Sequence, residues 1–232
     1  MVEDVDIIEA GLIGYEDGWA WQRRLHAQRV AGEIDDTVLL LEHPPVYTAG
    51  RRTEAHERPS NGSRVIDVDR GGKITWHGPG QLVGYPIIEL DDPIDVVAYV
   101  RRIEEMLIRV CADAGLDAVQ IAGRSGVWMA GDSGRSDSAA SGHGLPDRNA
   151  SDRKLAAIGI RVANRVTLHG FALNCQPDLS WFDPIVPCGI ADAGVSSLSA
   201  ELGGEVTVAE IQPLVRARLP ELTAAYARSI SA

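Results

Sequence analysis

Apolar residues recur at intervals of four and three through Val96, Val100, Ile103, Leu107 and Val110, the stripe that one face of a 3.6-residue period must bury. The pattern predicts the clearest helix of the chain, from about Pro93 to Ala114. Asp92 is its expected N-cap, Pro93 its first helical residue and Gly115 the left-handed residue past its last turn. Cys111 lies beside the stripe and reads as a small core residue. Tyr15 to Val30 is predicted as a polar-faced helix that buries Trp19, Leu25 and Val30. Continuous and alternating apolar runs predict strands at Val5–Glu9, Thr37–Leu41, Val65–Val68, Lys73–Trp76, Leu82–Leu90, Gly126–Ala130, Leu155–Val162, Val166–His169 and Phe171–Asn174. Gly131 to Ser151 offers almost nothing to bury and is expected to be a flexible surface loop, with His143 solvated. Thr207-Val-Ala-Glu210 has the form of a capping box and starts a last amphipathic helix, which Pro213 and Pro220 are expected to break. No repeat and no linker interrupts this order, so residues 1–232 are predicted to form one α+β domain: a single mixed β-sheet flanked by helices.

Charge and composition narrow the class. The 232 residues are 45% hydrophobic and 5% aromatic, carry a formal charge of −11 and have a pI near 5.0. That balance argues against nucleic-acid binding, which depends on a dense positive field. Arg51, Arg52, Arg58, Arg64 and Arg70 nevertheless gather early in the chain and leave room for an acidic protein partner. The first residues lack the basic and apolar regions of a secretory signal, and no apolar run reaches the ~18 residues of a membrane span. The expected location is cytoplasmic, away from membranes. Three cysteines, Cys111, Cys175 and Cys188, show no C-x-x-C spacing, so neither a disulfide framework nor a zinc knuckle is indicated.

Arg70-Gly-Gly-Lys-Ile-Thr-Trp-His-Gly-Pro-Gly-Gln81 places four glycines and a proline around His77. Glycines admit positive φ and close backbone approach at an entropic cost, so the segment reads as a ligand cradle. It matches neither the P-loop nor the dinucleotide fingerprint. His77 is a candidate acid, base or donor to a carbonyl oxygen, and His43 a neighbour in the same cavity. Cys188, between Pro187 and Gly189, has a setting that can expose a sulfur at a turn, whereas the alternative is a buried structural thiol; Cys175 competes for the role. A nucleophilic cysteine needs a base or a positive neighbour, because an ordinary thiol has a pKa near ~8.5. Lys154, at the start of the apolar run Leu155–Ile160, is such a neighbour if it lies at the edge of a dry cavity.

Together these segments resemble the octanoyl (lipoyl) transferase family, over about Leu39 to Leu202. The resemblance rests on the Arg70–Gln81 motif, His43-Pro-Pro-Val-Tyr-Thr-Ala-Gly50, Lys154-Leu-Ala-Ala-Ile-Gly159, His169-Gly-Phe-Ala-Leu-Asn174 and Pro187-Cys-Gly-Ile190, in that family's order. It implies a fold similar to the catalytic domain of biotin and lipoate protein ligases. It implies an acyltransferase that moves an octanoyl group from octanoyl-acyl carrier protein to a lysine of lipoyl domains. The acceptors would be 2-oxoacid dehydrogenase complexes and the glycine cleavage H protein. The reaction would use a Cys188/Lys154 dyad and a thioester intermediate, with no cofactor and no metal. The acyl site would be lined by Arg70, Gly71, Gly72, Lys73, Ile74, Thr75, Trp76 and His77, by Ala157, Ile158 and Gly159, and by Gly170, Phe171 and Ala172. The Gly131–Ser151 insert is where the chain departs most from the pattern. Rival readings are an ATP-dependent lipoate or biotin-type ligase, a non-catalytic module that binds lipoyl domains or acyl chains, and, more distantly, a metal hydrolase using His77, His43 and Cys188.

Overall fold

Alternation decides the layers. In β2 (Thr37–Glu42) Val38 and Leu40 enter one core while Leu39 and Leu41 enter another on the opposite face, the period-two consequence of a strand buried on both sides. The computed structural model describes residues 5–131, 151–185 and 193–223. The anticipated 131–151 loop, except its two end residues, and Cys188 lie outside them.

β2 is the second strand of a mixed sheet with order β1-β2-β6-β10-β9-β8-β7. The other members are β1 (Asp6–Leu12), β6 (Gln81–Ile87), β7 (Val119–Ile121), β8 (Arg124–Met129), β9 (Arg153–Ala163) and β10 (Val166–Asn174). β1 and β2 are parallel, and the other neighbours along this path are antiparallel. β11 (Gly194–Val195) adds in parallel to β9. A three-stranded sheet of β4 (Val65–Asp67), β3 (Val46–Ala49) and β5 (Ile74–His77) accompanies it. Helix α1 (Tyr15–Val30) packs on β6 and β10, and α2 (Val96–Asp113) packs on β8 and β9. The short α3 (Leu198–Leu202) and then α4 (Val208–Arg218) follow, α4 packing on α2. The larger core lies between the sheet and α2/α4, and includes Leu40, Leu82, Ile103, Leu107, Leu155, Leu173 and Ile211.

Several expectations are corrected. The N-cap of α2 is Asp95, whose carboxylate accepts from the Ala98 N–H at 2.9 Å, in place of Asp92; Gly115 does take the left-handed conformation, at φ +89°. Val96 is exposed, and Tyr99 takes its place in the buried stripe. Val30, the last residue of α1, is 42% exposed, not buried as expected. Pro213 sits inside α4 without ending it: a proline costs a helix interior about 3 kcal/mol, and burial of Ile211 and Val215 on either side offsets it. Thr207 and Glu210 form the anticipated reciprocal capping box.

The two strands expected around Gly170 are one, β10, continuously paired with β9 from Val166 to Leu173. The expected break has a structural counterpart in the backbone. His169 adopts φ +61°, and a Cβ on Gly170 would lie 2.1 Å from the Gly84 carbonyl oxygen. Only a residue without a side chain lets β10 approach β6 there.

Candidate active site

The cradle is organised by its own arginine. Arg70, which is buried, donates through Nη1 to the carbonyls of Gly71 (3.0 Å) and Lys73 (2.8 Å) and through Nη2 to Thr48 O (2.9 Å) and Thr48 Oγ1 (3.0 Å). A planar fork of donors suits this cluster of carbonyls as no lysine would. The bonds curl the glycine loop over a cavity of about 250 Å³ whose lining includes Arg70, Gly72 and Lys73 from the loop. Lys73 turns its ammonium outward, to Glu54 (3.2 Å) and the buried Glu57 (2.5 Å).

Strand alternation then divides the motif. Thr75 and His77 line the cavity, whereas Ile74 and Trp76 point to the other face of β5, where Trp76 stacks on Trp181 and meets Phe182 edge-on. Gly71 lies beside the cavity, in a groove continuous with it. From the large sheet come Ala157, Ile158 and Gly159 of β9 and Gly170, Phe171 and Ala172 of β10, all lining the same space.

Lys154 lines it too, although only 6% of its surface is exposed. Its Nζ lies 4.5 Å from the Trp128 ring centroid, a cation–π contact. The turn of its side chain into the cavity follows from a bulge. Val127 pairs with Ala156 and Trp128 with Lys154, so Leu155 is an extra residue on β9. Leu155 and Ala156 therefore both enter the core, which strict alternation forbids, and Lys154 is re-aimed.

A chain of hydrogen bonds sets the protonation of His77. Asn174 Nδ2 donates to Ser196 O (2.9 Å), leaving Asn174 Oδ1 to accept from Gln81 Nε2 (2.9 Å) and Gln81 Oε1 to accept from His77 Nδ1 (2.7 Å). The imidazole is thus held as the Nδ1–H tautomer, with a lone pair on Nε2. Burial, followed by the nearby His43, pushes its pKa down to about 3, so it is neutral at pH 7 and Nε2 accepts. Of the expected roles, this arrangement favours that of a base or acceptor at Nε2.

His43 donates from Nδ1 to Ile13 O (2.8 Å) and accepts at Nε2 from Tyr85 Oη (2.7 Å); burial lowers it to about 4. Its place is behind the cavity wall formed by Tyr15, Tyr85 and His77. His169 also lines the cavity and meets Asp69 Oδ1 at 2.7 Å. Asp69 is shared with Arg161, and burial with Arg70, Arg161 and Arg23 holds the imidazole down to about 3. Tyr15, Tyr85 and His169 were not singled out as lining residues from sequence. His169 opens the His169–Asn174 motif and so had a signal in the sequence, whereas Tyr15 and Tyr85 lie outside the quoted motifs.

Two of the three cysteines are removed from contention. Cys111 and Cys175 are fully buried, and burial pushes each thiol up to about 12. Cys188 lies outside the described residues, between Ile185, which packs with Trp76, and Gly194–Val195, which pairs with Arg153–Lys154. Among the described residues no three His, Cys, Asp or Glu side chains converge as a metal-ligating group, and no helix is long and apolar enough to cross a membrane.

The mixed sheet and its glycine-cradled cavity lie within a lipoyl protein ligase A/B catalytic domain. The family model described as "Lipoyl protein ligase A/B catalytic domain" matches residues 14–219. A solved structure from Thermoplasma acidophilum, described as a bi-partite lipoate protein ligase and its E2 lipoyl domain, superposes with a TM-score of 0.65 over 94% of this chain and 83% of that chain, at 14% identity. Within this class, octanoyltransferases are far more similar in sequence. The one from Acidothermus cellulolyticus is 62% identical over 91% of this chain and 88% of its own length, and the one from Salinispora tropica is 62% identical over 94% and 96%. The chain belongs to the octanoyltransferase family of lipoyl protein ligase A/B catalytic domains, and is an acyltransferase of protein lipoylation.

Proposed function

We propose that the chain takes an octanoyl group from octanoyl-acyl carrier protein onto Cys188 and passes it to a lysine of a lipoyl domain, with Lys154 as the proton partner of both steps. The observation that carries the reading is the burial of the Lys154 ammonium inside the glycine-cradled cavity, against Trp128, on the strand to which the chain returns just after Cys188. The exclusion of Cys111 and Cys175 as buried, inert thiols supports it.

In the first half-reaction the Cys188 thiolate, with the Lys154 ammonium as its proton partner, adds to the thioester carbonyl. The tetrahedral adduct expels the carrier thiolate, which takes the proton from Lys154. In the second half, neutral Lys154 accepts a proton from the incoming lysine amine as nitrogen attacks the acyl-enzyme. The amide forms and Cys188 leaves as the thiolate. Loop N–H groups of the cradle stabilise the oxyanion, each worth about 3 kcal/mol of barrier. Neutral His77, accepting at Nε2, orients the attacking amine. Apolar Ile158, Phe171 and Ala172 bury the acyl chain at about 0.8 kcal/mol per methylene. The acceptors are lipoyl domains of 2-oxoacid dehydrogenase complexes and the glycine cleavage H protein, in keeping with a structural neighbour described together with its E2 lipoyl domain.

Intact mass spectrometry after incubation with octanoyl-carrier protein alone tests this. The expected result is one octanoyl group per chain, discharged by a lipoyl domain and absent in Cys188→Ser. No adduct, or modification of the lipoyl domain only from free octanoate and ATP, overturns the reading in favour of a ligase.

A further inference from the structure

Glu104 is a fully buried carboxylate in the middle of α2, and the mechanism above makes no use of it. Its Oε2 pairs with Arg101 Nη1 at 2.5 Å, and its Oε1 accepts the Gly126 N–H at 2.8 Å. Gly126 adopts φ +117°, and its backbone lies directly against the bulge of β9. A Cβ there would stand 2.5 Å from Ala156 O, 3.2 Å from Lys154 Cε and 3.5 Å from Lys154 Nζ. Gly126 is thus the surface on which the end of the lysine side chain rests, with the Trp128 ring beside it. A carboxylate acceptor makes a stronger hydrogen bond than a neutral carbonyl, and leaving this buried N–H without one costs its full desolvation.

We propose that Glu104 is a positioning residue for Lys154: by holding the Gly126 N–H it fixes β8 against the β9 bulge, and so fixes where the ammonium sits in the cavity. The link to catalysis rests on the dyad reading above; the link to Lys154 position does not. The other charged and titratable groups that share the cavity are Arg52, Arg70, Lys73, Arg124, His77, His169, Tyr15 and Tyr85, and none of them reaches Gly126 N.

The direct test is NMR of the Lys154 ε-methylene, identified by its loss in Lys154→Arg. In the intact protein it is expected to be ring-shifted by Trp128, whose ring centroid lies 4.5 Å from Nζ. In Glu104→Leu, which leaves the Gly126 N–H without its acceptor, the shift is expected to collapse toward that of a solvated lysine. An unchanged ring shift overturns the proposal. Arg101→Gln, made at a partly exposed partner, is expected to act in the same direction but less. It keeps the test open if Glu104→Leu fails to fold, and an unchanged shift there then overturns the proposal.

The pH profile of Cys188 alkylation separates position from charge. Removing a nearby anion through space lowers a thiol pKa, whereas displacing the ammonium raises it. The expected change in Glu104→Leu is upward, with octanoyl transfer slowed on the order of tenfold and the carrier-protein KM unchanged. A downward shift overturns the positioning role. A profile that Lys154→Ala also leaves unmoved overturns the dyad instead, and the NMR result then decides Glu104 alone.

Discussion

The Lys154 ammonium sits 4.5 Å from the Trp128 ring centroid, in a cavity where no carboxylate is paired with it among the described residues. An ammonium held this way is desolvated without a full counter-charge, so the arrangement costs stability, a cost that the proposed proton-transfer role of Lys154 accounts for. Lys154→Ala is expected to lower octanoyl transfer by at least about 100-fold. Its thermal midpoint should stay level or rise, read by calorimetry beside steady-state kinetics.

The cysteines make a second contrast. Cys111→Ala and Cys175→Ala each remove a core sulfur and are expected to cost about 1–2 kcal/mol in urea unfolding, with transfer activity within about threefold of the parent. Mass-spectrometric mapping of native alkylation should find Cys188 labelled and the other two protected. Rapid labelling of Cys175 would contradict its burial.

His43 and His77 impose a pH dependence on stability. Burial lowers their pKa values from 6.5 to about 4 and about 3, so the folded chain binds fewer protons than the unfolded one below pH 6.5. Their contribution is complete above 6.5 and is lost as pH falls toward 4 and then 3. The limiting slope is about 2.7 kcal/mol per pH unit for the two. Urea titrations across this window should show a shallower slope in His43→Phe.

Gly170→Ala tests the close approach of β10 to β6. The added methyl meets the Gly84 carbonyl and Pro86 Cδ, both rigid, so a loss of at least about 3 kcal/mol is expected. Gly204→Ala meets nothing within 4 Å and is the control, expected within about 0.5 kcal/mol.

Local chemistry was legible because local physics decides it. The 3.6-residue stripe located α2, the Thr207–Glu210 box started α4 as read, and the glycines of Arg70–Gln81 announced a cradle. Periodicity said nothing of β3, whose Val46–Ala49 run is too short to show a pattern, or of β11, which exists only through pairing with β9. Asp95 displaced Asp92 as N-cap because it is Asp95 whose carboxylate reaches a free N–H of the first helical turn, that of Ala98.

The order of residues along this chain therefore determined its family, the course of α2 and the start of α4, since propensity, capping and motif spacing are properties of neighbours. Only the tertiary structure decided that Thr75 and His77 face the cavity while Ile74 and Trp76 do not, that His77 keeps its lone pair on Nε2, and that one extra residue in β9 turns Lys154 inward. Each depends on register, burial or a hydrogen bond between segments far apart in sequence, and such contacts have no signature until the strands are side by side.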